Sequence, residues 1–413
     1  MRLTISLAVA AVLLVPFPAL SQRQVVKPPI AQYWLSVETA GGMSMPGMEG
    51  MGALMGGMMG GQAQSGRRML LQLGSQRAPA GGPQADHLIP SGMNMGDSLP
   101  LVTPDRPPAQ RGEPRDLPQG MEQPRGRMLI YWGCGENVGA GQPVVIDFAG
   151  LGQGQTPPNL VSRRVSVATP PSPSRARTYG DWPNPQDTKA VPASASLKGD
   201  HQIKGNYSPD IRFELGDSHD FMERVELASS ARGSGARSVN WNAVPTATGY
   251  FATVVGAESQ DEVVFWSSSE VQEMGGMLMD YLPPREVARL VRERVAMAPS
   301  TTECTVPGEV VKKAGGSPFF NFIAYGPEAN FAQPPRPANP RQAWEPLWTV
   351  KARFKSTAST LLGDAGDGGG RRPARGPSPA AEPREEQAAE PAQKPAPDPI
   401  KEGVDILRGI FGR

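Results

Sequence analysis

Apolar and polar residues alternate along this chain in short bursts, and the bursts are separated by stretches with no period. The run "RRMLLQLGS" sets Met69, Leu71 and Leu73 on one side of a strand. "IAQYWLSVET", "RMLIYW" and "PVVIDFAGL" are three more strand-like runs in the first 150 residues. A second patterned region begins near "DIRFELG". At its centre, residues 237–257 read "RSVNWNAVPTATGYFATVVGA", with Val239, Trp241 and Ala243 alternating, then a Pro-Thr turn, then Tyr250, Ala252 and Val254. "FFNFIAYGPEANF" and "EPLWTVKARFKS" follow. The second sets Trp348, Val350, Ala352 and Phe354 on one face and Thr349, Lys351, Arg353 and Lys355 on the other. That basic stripe reads as a solvated strand face or edge protection, and as a weak candidate for meeting an acidic partner. One helix is expected over 284–297: Pro284 suits a first helical position, and Val287, Leu290, Val291 and Val295 form a stripe.

Between these patterns the sequence has other characters. Residues 1–21 combine an early Arg2, an apolar run and small residues before Gln22, the grammar of a secretory signal peptide. Residues 41–61 are Gly and Met at sixteen of twenty-one positions and encode no regular element. Residues 151–200 are rich in Pro and Ser and read as a long surface connection. Residues 363–399 are Gly, Pro, Ala and charge, a composition expected to stay disordered. Residues 400–413 regain helical spacing, with Val404, Leu407 and Phe411 on one side, which suggests a tethered contact with a partner or a membrane surface.

The strand–turn–strand around Trp241 and Tyr250 resembles the second and third strands of a fibronectin type III or related immunoglobulin-like sandwich. The resemblance covers about 220–357, and the helix at 284–297 departs from it as an insertion. It implies a sandwich and no particular function, because such folds host many. "LIYWGCGE" and "QYWLSVETA" in the first region echo "NFIAYGPE" and "GYFATVVGA" in the second, in the same order. A diverged duplication is one reading; chance likeness of short aromatic strands is the other. The expected fold is therefore mainly β: two antiparallel sandwich-like domains, 22–150 and 201–362, with one inserted helix.

Composition narrows the chemistry. A net charge of +1 gives no strong field for nucleic acid. Cys134 and Cys304 are the only cysteines, and an even count in an exported chain reads as a disulfide, closing a loop of about 170 residues. The loop "GCGENVGAGQP" is followed by a strand-like run rather than a helix start, which disfavours a phosphate cradle. "GDSHDF" puts Ser218, His219 and Asp220 side by side, a polar bend rather than a triad, and no hydrolase or zinc motif is present. No catalytic residue and no cofactor is expected.

The leading expectation is an exported periplasmic or secreted protein of the cell envelope, non-enzymatic, that binds or scaffolds an unknown envelope partner. The alternative is a soft-metal protein. Thioethers suit Cu(I), and Met43, Met45, Met48, Met51, Met55, Met58 and Met59, with His87, Met93 and Met95, supply candidate copper ligands. A hydrolase with a site between the two domains is a third reading that no motif supports.

Overall fold

The computed structural model describes residues 24–44, 66–104, 126–152, 158, 163–259, 261–273, 278–339 and 341–363. The first strands are β1 Ala31–Ser44, β2 Gly66–Ser75, β3 Ala85–Leu88, β4 Ser98–Pro100, β5 Arg127–Trp132 and β6 Val144–Asp147. Next come β7 Thr178–Trp182, β8 Gly199–Gly205, β9 Ile211–Leu215, β10 Leu227–Ala231 and β11 Arg237–Trp241. The last are β12 Gly249–Ser259, β13 Glu262–Ser267, β14 Glu303–Val306, β15 Phe319–Gln333 and β16 Trp348–Leu361. Among the described residues three short α-helices, α1 Phe148–Gly152, α2 Pro284–Arg292 and α3 Gly308–Lys313, interrupt them. The protein is mainly β, as the alternation predicts.

Nine strands form one sheet in the order β6-β5-β13-β12-β15-β16-β1-β2-β7. Its middle is an antiparallel set, β13-β12-β15-β16, faced by the three-stranded sheet β10-β11-β14. Trp241 of β11 meets Tyr250 of β12 edge to face at 5.7 Å, and Phe322 of β15 lies 4.5 Å from the same indole. On each flank a strand from the first half of the chain joins in parallel: β5 beside β13, and β1 beside β16. The four-stranded sheet β4-β3-β8-β9 contributes His87 and Phe213, whose rings lie 5.3 and 6.2 Å from Tyr33 of β1. Both smaller sheets share one continuous apolar core with the large one.

Two sandwiches are thus present, but they share a sheet, and the expected boundaries do not separate them. Strands β5 and β6, inside 22–150, extend the sheet of the later unit, while β8 pairs with β3 of the earlier one and β9 pairs with β8. Joining flanks to flanks leaves fewer open strand edges than two separate sandwiches would. The echoed strands are not equivalent either. β12 and β15 are direct partners, whereas β1 and β5 are separated by β13, β12, β15 and β16.

The segment 151–200 is not only a connection. "TYGDW" forms β7 on the edge of the large sheet, paired with β2, and Trp182 is 1 % exposed. Helix α2 starts at Pro284 as expected but ends at Arg292, five residues before 297. Arg294 takes a φ of 62°, and the chain reverses so that Met297 and Tyr250 exchange backbone hydrogen bonds at 2.8 and 3.0 Å. Val287, Leu290 and Val295 still pack together, covering Phe251, Ile323 and Tyr325 on the outer face of the sheet.

Candidate binding groove

The outer face of β1, β16 and β15 carries polar rows, because alternate residues of each strand point away from the shared core. Across the three strands, Thr349 lies between Gln32 and Ala332, and Lys351 between Trp34 and Asn330. Arg353 lies between Ser36 and Glu328, and Glu38 neighbours Lys355. This is the basic stripe of the sequence; its residues are half-buried rather than fully solvated, and the strand is not at an edge. β16 is interior to the sheet, and a segment before α2 covers the face.

Tyr281 from that segment stacks over the stripe. The Arg353 guanidinium lies between two rings, 4.3 Å from Tyr281 and 4.9 Å from Trp34, while its Nε donates to Ser36 Oγ at 2.8 Å. Lys355 sits 4.5 Å from the Tyr281 ring and 4.0 Å from Glu38 Oε1. Lys351 pairs with Glu328, and its Nζ donates to Asn330 Oδ1 at 2.9 Å. Burial pushes the pKa of the Arg353 guanidinium down, with Asp280 acting in the opposite direction. Burial also holds the Tyr281 phenol well above its ordinary value. Cation and ring fix each other here, so this end of the rows is prearranged.

A strap, residues 163–171, crosses the same face. It is anchored at one end by the Arg163 N–H donating to Glu273 Oε2 at 2.8 Å, and at the other by Gln72 Nε2 donating to Pro171 O at 3.3 Å. Gly74 of β2 lets the strap approach: a Cβ there would stand 2.8 Å from Pro171 Cβ. Between strap and strands lies a cavity of about 470 Å³ bordered by Ser166, Arg285, Glu328 and Lys351. It adjoins a groove of about 820 Å³ that shares Ala168, Asn330 and Lys351 with it. The groove runs over Trp34 and Thr349 to Trp344, Arg336 and Arg212.

The far wall is the loop between β15 and β16, which the N-terminal segment holds down. Trp344 N–H donates to Val25 O at 2.9 Å and Lys27 N–H to Trp344 O at 2.9 Å. Gln24 Oε1 accepts from Arg336 Nε at 2.8 Å, and the Arg336 guanidinium lies 5.5 Å from the Trp344 ring. The groove can therefore offer indole faces, amides and cations from fixed positions. Sequence reasoning missed its walls: nothing local shows that residues 24–27 and 334–347 meet.

The residues singled out by sequence are distributed elsewhere. Cys134, in the turn after β5, is bonded to Cys304 in β14, with Cα atoms 5.3 Å apart. The bond joins the large sheet to the three-stranded one, beside a hydrogen bond from Gly135 N–H to Thr305 O at 2.8 Å. The loop that follows leads into β6, so it connects two strands of a hairpin, as expected. Ser218 Oγ is 3.1 Å from His219 Nδ1 in an exposed turn. Asp220 is turned away, accepting from Ser196 Oγ at 2.6 Å and from Leu197 N–H at 2.8 Å.

His87 does not suit the copper set. It is 1 % exposed, and both ring nitrogens are engaged: Nδ1 with Tyr33 Oη at 2.9 Å and Nε2 with His201 Nδ1 at 2.9 Å. Met93 and Met95 are core residues. Met43 lies in β1, opposite Ser359. Met45, Met48, Met51, Met55, Met58 and Met59 lie outside the described residues, as do residues 1–21 and Val404, Leu407 and Phe411. Among the described residues no group of three or more His, Cys, Asp or Glu is placed to hold a metal, and no helix is long and apolar enough to cross a membrane. No known family model matches the chain, and no curated protein is significantly similar to it.

Proposed function

We propose that this is an exported, non-enzymatic protein of the cell envelope that binds its ligand in the groove beneath the strap. The observation that carries the reading is the groove itself: indoles, amides and cations held over interior strands by the strap and the clamped β15–β16 loop. The leader-like residues 1–21 and the paired cysteines support an oxidising compartment. For the scaffold we infer a fibronectin type III-like unit over about 220–357, supported by the order β10-β11-β14 opposite β13-β12-β15-β16 and by Trp241 and Tyr250 in its core. A second contact through Val404, Leu407 and Phe411 is proposed on their helical spacing alone.

The test is retention on isolated cell envelopes. Wild-type protein is expected to remain bound through washing, and Arg212→Ala with Arg336→Ala to wash out, both proteins melting at the same temperature. Equal retention of the two would overturn the groove as the binding site. Leu407→Asp in each background separates the tail contact from the groove.

A further inference from the structure

We propose that the groove takes an acidic oligosaccharide, a chain of carboxylated sugars; this rests on the groove being the binding site. Among the described residues its lining includes Arg212, Arg336 and Lys351 and no Asp or Glu, in a chain whose net charge is only +1. The positive character is therefore local. Lys351 is balanced by Glu328 at the boundary with the smaller cavity. Among the described residues, the partners of the two arginines are neutral. Arg336 is held by the Gln24 amide and the Trp344 ring. Arg212 donates from Nε and Nη2 to the Gln202 amide oxygen at 3.0 and 3.1 Å, in the amide orientation that satisfies both groups. Each guanidinium is thus positioned while its charge remains to be met by a ligand carboxylate.

The remaining lining suits sugar more than peptide. β1, β16 and β15 are interior strands, so an extended peptide cannot add to them through its backbone. Recognition here has to use side chains on the face of the sheet. Trp344 is half-buried at the groove wall and offers an indole for the C–H face of a pyranose ring. Gln32, Asn330 and Thr349 are positioned for hydroxyl groups. Nucleic acid would require a longer cationic track than two unbalanced arginines.

The experiment is calorimetric titration of the full-length mature chain with a galacturonate oligosaccharide. A neutral glucan of equal length and polyglutamate of equal charge are the controls. Saturable uronate binding is expected, about tenfold tighter than either control and weakened by added salt. Arg336→Ala, Arg212→Ala and Trp344→Ala are each expected to weaken it about tenfold at an unchanged melting temperature, with Trp344→Phe restoring part of the loss. Absence of uronate binding, equally tight polyglutamate binding, or binding indifferent to all three substitutions would overturn the proposal. If the arginine variants wash off envelopes while uronate does not bind, only the ligand class fails. If uronate binds in the groove while envelope retention ignores it, the envelope role fails instead. Release of retained protein by free oligosaccharide would identify a surface-attached glycan as the source; retention in its presence, with uronate still bound, would identify a soluble one.

Discussion

Two of the chain's three histidines lie in one buried relay whose proton positions follow from its far end. His201 Nε2 is 2.7 Å from Leu197 O, and a carbonyl only accepts, so Nε2 carries the hydrogen. In the neutral ring Nδ1 then accepts from His87 Nε2, and His87 Nδ1 accepts from the Tyr33 hydroxyl. His201 also stacks on Phe213 with ring centroids 4.8 Å apart. Charging either ring would break this order. Burial, and then His201, hold the protonation of His87 well below its ordinary range. Burial also lowers His201, opposed by the Leu197 carbonyl and Asp200. Both folded-state values are depressed, so the folded protein binds fewer protons than the unfolded chain once pH falls below about 6.5. Stability is then full above that pH and declines below it, by up to about 1.4 kcal/mol per pH unit for each histidine. Urea midpoints between pH 7.5 and 5.0 measure the slope, and His87→Gln is expected to flatten it. Independently, His87→Leu strands Tyr33 Oη and His201 Nδ1 and is expected to cost about 1–3 kcal/mol for each atom left without a partner. Unchanged stability in that variant would mean that the relay contributes nothing.

Among the elements, the strap depends on one small residue beneath it. Gly74→Val puts branched carbons where Pro171 and Ala176 stand, and neither is the far end of a flexible chain. A loss of about 1–3 kcal/mol is expected, together with faster proteolytic cleavage within 163–171; equal cleavage rates would show that the strap does not rest on β2. The alternation of Trp348, Val350, Ala352 and Phe354 was legible because that face meets a core wherever the strand sits. The other face of β16 was not legible. Thr349, Lys351, Arg353 and Lys355 have a solvated pattern, and only the remote Tyr281 and the strap change their surroundings. β7 escaped for a different reason. Its Tyr179 and Trp182 are separated by Gly180 and Asp181 and followed by Pro183, which hides a strand signal in five residues. The two histidines in strands carried no signal of their partnership.

For the whole molecule, the disulfide is the one covalent tie between the large sheet and the three-stranded sheet among the described residues. Replacing Cys134 and Cys304 with Ala is expected to lower unfolding free energy by about 2–4 kcal/mol, within the chain-entropy ceiling of about 5 kcal/mol for so long a loop. Matched denaturant midpoints with and without the bond would contradict this. Its pairing was legible because only two cysteines were available, whereas the merging of two sandwiches into one sheet was not. That merging depends on partners such as Ser36 and Arg353, 317 positions apart. The parallel seam between β1 and β16 also fixes an order of events for the growing chain. β1 emerges early, but the strand that lies beside it ends at Leu361, and β15 waits for the same partner. Until then two long hydrogen-bonding edges stand open at what will be the middle of the sheet, where mature edges have none of the usual protection. A chain stopped before Trp348 is therefore expected to aggregate rather than form a smaller version of the fold, which sedimentation of the truncated chain would show.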